Sequence, residues 1–517
     1  MICITVNGKK YYREAGQELG LFLREIQGKN ARAGSGKGVV FVCGGHGKCG
    51  KCAVKASGCL SPVTDDEVRR LGQDKISAGF RLACRLKAEG DCDILTDLVT
   101  GFDSGNVAIS GISASFELSP AFKKYGVSVD IGTTTLAAKL FGPDGRELAS
   151  CGARNPQYLW GADVISRMEA ALSGEGANLA GSVRAAVNDM ITGLSGEAGI
   201  GAGDIDAAVV TGNTVMLCFF CGIDTEPLTH APFIAPELFG KSYNASELGI
   251  NVLSPDAEIY IPPCVSAFIG ADIVCASLAA GIDKPGDTEI LTDIGTNGEM
   301  VLRCEKGLFG CSTAAGPAFE GAGISMGMGG TDGAVDRVRI DHEGGFKVHV
   351  IGEEKGAKAK GICGSGIVDA VACMLDAETV DETGFMEDGS CAVCEGVELT
   401  QNDIRAVQLA KSAIHAGLLT LMKTSGTREK DVARLSIAGG FGNYLDVESA
   451  GKIGLIPPGL VSHVRSVGNA ALSGALMLLL SKPRRKEATA FARTVNTVEL
   501  STDPFFSQAF MENMTFE

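Results

Sequence analysis

Val127-Ser128-Val129-Asp130-Ile131-Gly132-Thr133-Thr134-Thr135-Leu136-Ala137-Ala138-Lys139-Leu140 decides the fold, because its pattern returns as Ile290-Leu291-Thr292-Asp293-Ile294-Gly295-Thr296-Asn297-Gly298-Glu299-Met300-Val301-Leu302. Each copy reads as an apolar strand, an Asp-Ile-Gly-Thr loop and a returning strand. A single tetrapeptide of this kind is weak. Two of them, 163 residues apart and each flanked by strand patterns, predict a duplicated α/β half. Outward from the first copy, Pro143-Asp144-Gly145 is a turn and a third strand starts at Glu147. Helical patterns follow near 162–172 and 180–197, then a strand at 207–211.

The two loops carry the same equipment. A glycine turn with hydroxyls, Gly132-Thr133-Thr134-Thr135 or Gly295-Thr296-Asn297, can cradle phosphate oxygens with backbone N–H groups. Asp130 or Asp293 at the strand end can hold Mg²⁺, usually through water. A cleft between two such loops would grip a nucleotide's phosphates from both sides. Gly439-Gly440-Phe441-Gly442-Asn443 follows a predicted strand and precedes a helix, where a nucleoside can rest on bare backbone. Gly361–Asp369 and Ala315–Gly323 are further candidate cleft loops, although each alone could be a plain turn. No GxxxxGK[ST] occurs, which argues against a P-loop. The one GxGxxG, Gly45 to Gly50, lies in a cysteine loop instead of between a strand and a helix.

That cysteine loop defines the N-terminal region. Residues 1–13 predict two strands around Asn7-Gly8, and Leu19, Phe22, Leu23 and Ile26 lie on one face of a helix. Strand character returns from Cys84 to Leu98. Together these suit a small β-grasp domain. Cys43, Cys49, Cys52 and Cys84 form C-x5-C-x2-C-x31-C. A [2Fe–2S] cluster needs four thiolates; Gly44, Gly45, Gly47 and Gly50 let a loop wrap closely round it, and Lys48 and Lys51 favour thiolates. The competing reading is a four-cysteine zinc site, but such sites usually pair two CxxC knuckles and here there is one. Cys59 and Cys92 fall outside the spacing and read as small buried hydrophobes. Cys218-Phe-Phe-Cys221 reads as core, and Cys391-Ala-Val-Cys394 is a lone CxxC.

The bulk numbers exclude other classes. The chain has 517 residues, 45% hydrophobic and 21% charged, with a net charge of −16 and no long Lys/Arg run. Binding to nucleic acid or a polybasic membrane contact is not expected. Seventy glycines are roughly twice the usual ~7% share. No signal or bilayer-length apolar stretch is visible. Eighteen cysteines without one argue for metal or thiol chemistry in the cytoplasm.

The paired Asp-Ile-Gly-Thr loops and Gly-Gly-Phe-Gly resemble the phosphate and adenosine motifs of the acetate/sugar-kinase, heat-shock-chaperone and actin superfamily. The cysteine spacing is similar to that of adrenodoxin-like ferredoxins, and the fusion of the two resembles the reductive activators of corrinoid proteins. The resemblance implies an α/β multidomain chain: a β-grasp [2Fe–2S] domain (1–98), a linker (99–124), two ribonuclease-H-like ATPase halves (125–285 and 286–485) and a C-terminal extension (486–517). It implies a one-electron, ATP-dependent reduction of an inert Co(II) corrinoid protein of a methyl-transfer system to Co(I), a homodimer, and an electron donor that the sequence does not name. Cys43, Cys49, Cys52 and Cys84 would ligate the cluster. Asp130, Gly132, Thr133, Thr134, Thr135, Asp293, Gly295, Thr296 and Asn297 would face phosphates and Mg²⁺, while Gly439, Gly440, Phe441 and Gly442 would hold adenosine. The alternatives are an activator of another metalloenzyme, such as a dehydratase, and a small-molecule kinase with a regulatory cluster.

Overall fold

The computed structural model describes residues 1–30 (without the side chains of 27–30), 39, 41, 45, 47, 50, 52–96, 116–342, 344–440 and 444–516. At the N-terminus the strands Ile2–Val6 and Lys9–Arg13 pair through Asn7-Gly8, both at positive φ (48° and 81°). Asn-Gly favours that two-residue turn because its twist matches the strands. Ile2–Val6 also pairs, in parallel, with Lys87–Leu95, which is antiparallel to Ala53–Leu60. The helix Leu19–Asn30 lays Leu19, Phe22, Leu23 and Ile26 against Ile4, Val54, Leu82 and Ile94. Cys92 is buried, but Cys59 corrects the expectation of a buried thiol. The register shifts between Gly58 and Leu60, and this bulge leaves Cys59 exposed.

The remaining described chain builds two six-stranded sheets and two smaller ones, of three and two strands. In the first, Tyr125–Ile131, Thr135–Phe141 and Glu147–Arg154 form an antiparallel meander. Ile205–Gly212 and Glu258–Ile261 add in parallel beside Tyr125–Ile131, and Lys241–Asn244 closes the edge. In the second, Glu289–Ile294, Gly298–Cys304 and Gly307–Thr313 repeat the meander, with Arg434–Ala438 and Val464–Gly468 parallel beside Glu289–Ile294. The five common strands run in the same order, so the duplication read from the two loops is a duplication of topology. Residues after 485 are woven into the second half. Val495–Thr497 extends its sheet beside Gly307–Thr313, and Pro504–Glu512 packs on the helix Gln401–Ser425.

The helices Ala271–Ala280 and Ala470–Leu480, each following the last parallel strand of its half, pack against one another. Their shared core takes Phe141 and Val209 from one sheet, Leu291 and Val301 from the other, and Ile273, Leu278 and Leu478 from the helices. Contact is closest at Gly474, where a Cβ would stand 1.9 Å from the Cys275 carbonyl oxygen. The far end of Ala470–Leu480 also holds the strap before the first strand. Ser119 and Ala121 N–H groups donate to Leu480 and Leu479 carbonyls at 2.8 and 2.9 Å, and Lys482 N–H donates back to Ser119. Among the described residues no helix is long and apolar enough to cross a membrane.

Gly474→Ala should destabilise the protein by about 1–3 kcal/mol through overpacking against backbone, outweighing the roughly 1 kcal/mol that alanine gains in a helix. Denaturant unfolding measures this, and an unchanged or raised midpoint would contradict so close a crossing.

Candidate functional site

Both Asp-Ile-Gly-Thr loops open into one cavity of about 510 Å³, outside the carboxyl ends of the central strands where open α/β sheets bind ligands. The first loop is fixed from behind. Asn155 Nδ2 donates to the Gly132 carbonyl at 2.8 Å, Asn155 N–H to Thr134 at 2.9 Å, and Arg167 Nη2 to Thr133 at 2.6 Å. Asn213 Nδ2 donates to the Thr133 hydroxyl at 3.1 Å. With three carbonyls tied back, N–H groups and hydroxyls are what the loop can offer a ligand. Arg167 is fully buried, and burial lowers its pKa to about 9. In the second loop Gly316 N–H donates to the Thr296 carbonyl at 2.9 Å. Gly439, at φ 94°, presses on Asp293, since a Cβ there would lie 2.7 Å from Asp293 Oδ1.

The cavity floor is acidic. Asp130 accepts from Asn469 Nδ2 at 3.0 Å, Asp272 from Ile273 N–H at 2.9 Å, and Glu299 from Gly270 N–H at 2.8 Å. Burial raises Asp130 to about 7; burial, then the charges of Asp272, Asp130 and Glu320, raise Asp293 to about 8. Burial likewise pushes Asp272 and Glu299 upward. Among the described residues no three or more metal-ligating side chains converge as a closed cage. The donor set is nonetheless all oxygen and short of cations. It fits Mg²⁺, which typically takes one or two carboxylates, substrate phosphates and several waters.

Glu320 bridges the two halves. Its carboxylate accepts the Thr134 hydroxyl from the first loop, and the Thr296 hydroxyl (2.8 Å) and N–H (3.2 Å) from the second. Thr135, Asn297, Gly440 and Arg154 also line the cavity, with the Arg154 guanidinium 3.7 Å from the Tyr158 ring centre. His349 lies on the wall, its Nδ1 2.5 Å from Asp336 Oδ1, and that bond raises its pKa. Phe441 and Gly442 lie outside the described residues. Of the other candidate loops, Phe319 and Glu320 reach the cavity, as do Cys363, Gly364 and Ser365. Asp369 is buried on the helix Gly364–Asp376 and accepts from Val338 N–H at 3.3 Å. The sequence reading missed Asp272, Glu299, Asn213, Asn469 and Arg154, and it gave Glu320 no role of its own within the candidate loop Ala315–Gly323. One signal was available: Glu299 takes the place in the second repeat that Leu136 holds in the first.

In the N-terminal region Cys52 Sγ and Cys84 Sγ lie 3.2 Å apart, beyond a disulfide's ~2.05 Å. Ala83 N–H donates to the Cys52 carbonyl at 2.9 Å, holding the two segments together. Cys43 and Cys49 lie outside the described residues. Gly45 and Gly47 are at positive φ, and a Cβ at either would stand within 3 Å of Arg24 or Arg85 nitrogens. Bare backbone under guanidinium groups beside two convergent thiols fits a thiolate-ligated cluster.

Residues 125–285 match the family model described as the RACo middle region, and residues 287–517 match that of the C-terminal domain of RACo, the ASKHA domain. The corrinoid activation enzyme RamQ of Eubacterium limosum is 34% identical over 447 residues, covering 80% of this chain and 73% of RamQ. The chain belongs to the RACo family. A reductase of Methanosarcina barkeri named for Co(II) methylated amine-specific corrinoid protein is 26% identical over 420 residues, 76% of this chain and 77% of the relative. The solved structure of a reductive activator for corrinoid, iron–sulfur protein has a TM-score of 0.73 at 27% identity, covering 100% of this chain and 98% of that one. In this RACo-family chain the ASKHA region thus supplies one Asp-Ile-Gly-Thr loop and the middle region the other.

The raised carboxylates give a pH signature. The folded, metal-free protein keeps protons on Asp130 and Asp293 that the unfolded chain loses above about pH 4. This stabilisation is full below that pH and is lost as pH rises through about 7 to 8. Mg²⁺ held by these carboxylates would replace those protons, so it should raise the thermal midpoint more above pH 8 than at pH 6. Equal shifts at both would show that these carboxylates do not take the metal.

Proposed function

We propose that this chain is an ATP-dependent reductive activator that returns a corrinoid protein from Co(II) to Co(I) by one-electron transfer in the cytoplasm. The observation that carries the reading is the cleft itself, two phosphate loops from duplicated halves meeting over an acidic floor, in a chain 34% identical to a corrinoid activation enzyme. Asp130 and Asp293, with Asp272 and Glu299 beside them, would hold Mg²⁺. Gly132, Thr133, Thr134 and Thr135 would face the phosphates with Gly295, Thr296 and Asn297, while Gly439 and Gly440 would take adenosine.

Residues 1–98 read as the β-grasp ferredoxin domain, with Cys52 and Cys84 supplying two of four ligands and Cys43 and Cys49 the others. A [2Fe–2S] cluster bound there would supply the low-potential electron. Arg24 and Arg85 lie against Gly45 and Gly47; their charge would favour thiolates, and the glycines would let backbone approach the sulfurs. For one electron, each ~59 mV uphill costs about 1.4 kcal/mol, and a gap of ~150 mV needs roughly 3.5 kcal/mol. Nucleotide-dependent docking can couple a free energy of that order to the transfer.

An anaerobic absorbance assay tests this: reduced protein mixed with a Co(II) corrinoid protein, with and without Mg-ATP. The Co(I) band should appear only with ATP, and should be lost in Cys84→Ser and in Asp130→Ala. ATP hydrolysis without Co(I) across several corrinoid partners would redirect the reading to a different redox acceptor.

A further inference from the structure

We propose that Glu320 is the catalytic base that orients and deprotonates the water attacking the terminal phosphate of ATP. The inference rests on the ATPase reading above and assigns a role that neither phosphate loop fills. The Glu320 carboxylate occupies the meeting point of the two loops, accepting the hydroxyls of Thr134 and Thr296 and the Thr296 N–H. Those donors are the ones a phosphate chain needs, so an anion of this chain stands where a nucleotide's anionic oxygens must pass. Bound phosphate takes the donors and leaves the carboxylate beside the terminal phosphorus with its acceptor sites free for water.

Four other carboxylates of the cleft lie at its floor. Asp130 is held by Asn469, Asp272 by the start of its helix, Glu299 by Gly270 N–H, and Asp293 lies against Gly439, all at the floor. His349 is tied to Asp336, which favours its protonated form and disqualifies it as a base. Glu320 makes no ion pair among the described residues. Its backbone is anchored, since Gly321 at φ 76° follows it and a Cβ there would stand 2.4 Å from the Met328 carbonyl oxygen. The water oxygen forms a bond to the γ-phosphorus as the bond to the β,γ-bridging oxygen breaks. That electron pair leaves with ADP, the water proton passes to Glu320, and inorganic phosphate departs.

The test uses the full-length protein and two readouts: steady-state phosphate release and ADP affinity by calorimetry. In Glu320→Gln, kcat should fall on the order of 10²–10³-fold while ADP affinity stays within about threefold. Glu320→Asp keeps the charge one methylene short and should recover part of kcat; it decides the matter if the glutamine variant folds poorly. Retention of kcat within about threefold in both variants, or a loss confined to KM and ADP affinity, overturns the proposal. A wild-type protein that binds ADP but hydrolyses no ATP would defeat the ATPase reading instead.

Discussion

Everything at the cleft depends on two helices whose backbones touch where they cross. Gly474 lies so close to the Cys275 carbonyl that a Cβ there would overlap it unless the helices shifted. The core around that crossing draws from both sheets, so the halves share one apolar interior instead of touching as two finished bodies. Because the crossing fixes the sheets relative to each other, the loop after Tyr125–Ile131 and the loop after Glu289–Ile294 reach the same cavity. A duplicated motif becomes a single site only through that contact.

The electrostatics of the site then follow from what each half contributes. The first brings an Asp-Ile-Gly-Thr loop with its carbonyls tied back and the buried Arg167 behind it. The second brings Asp293 and Glu299, and both bring carboxylates whose pKa burial raises. Such a floor disfavours a bare polyanion and favours one that arrives with a divalent cation. On the proposed reading, metal and nucleotide would be selected together, a coupling that neither loop could impose alone.

How much of this was legible in the sequence depended on distance along the chain. The paired Asp-Ile-Gly-Thr loops could be read because strand, glycine and hydroxyls fall within six residues, and the duplicated topology followed from their repetition. Asn7-Gly8 and the helix at Leu19 could be read for the same local reason. Asp272 and Asn469 could not, because each is one polar residue in an ordinary setting, and Asn469's partner Asp130 lies in the other half. Glu320 fell inside a loop that could be read, but its bond to Thr134 crosses between halves and leaves no local pattern. Cys59 was misread because a bulge reverses the facing of a strand residue, and spacing rules carry no trace of a bulge.

The helix Ala470–Leu480 has a further consequence. Its eleven residues make a rod roughly 16 Å long. At one end Asn469 holds the Asp130 carboxylate, and at the other Leu479 and Leu480 hold the strap through Ser119 and Ala121. Gly474 sits midway between the two contacts. One helix thus ties a carboxylate of the cleft floor to the strap at Ser119 and Ala121, so any rotation about Gly474 that re-seated the carboxylate would also move the strap.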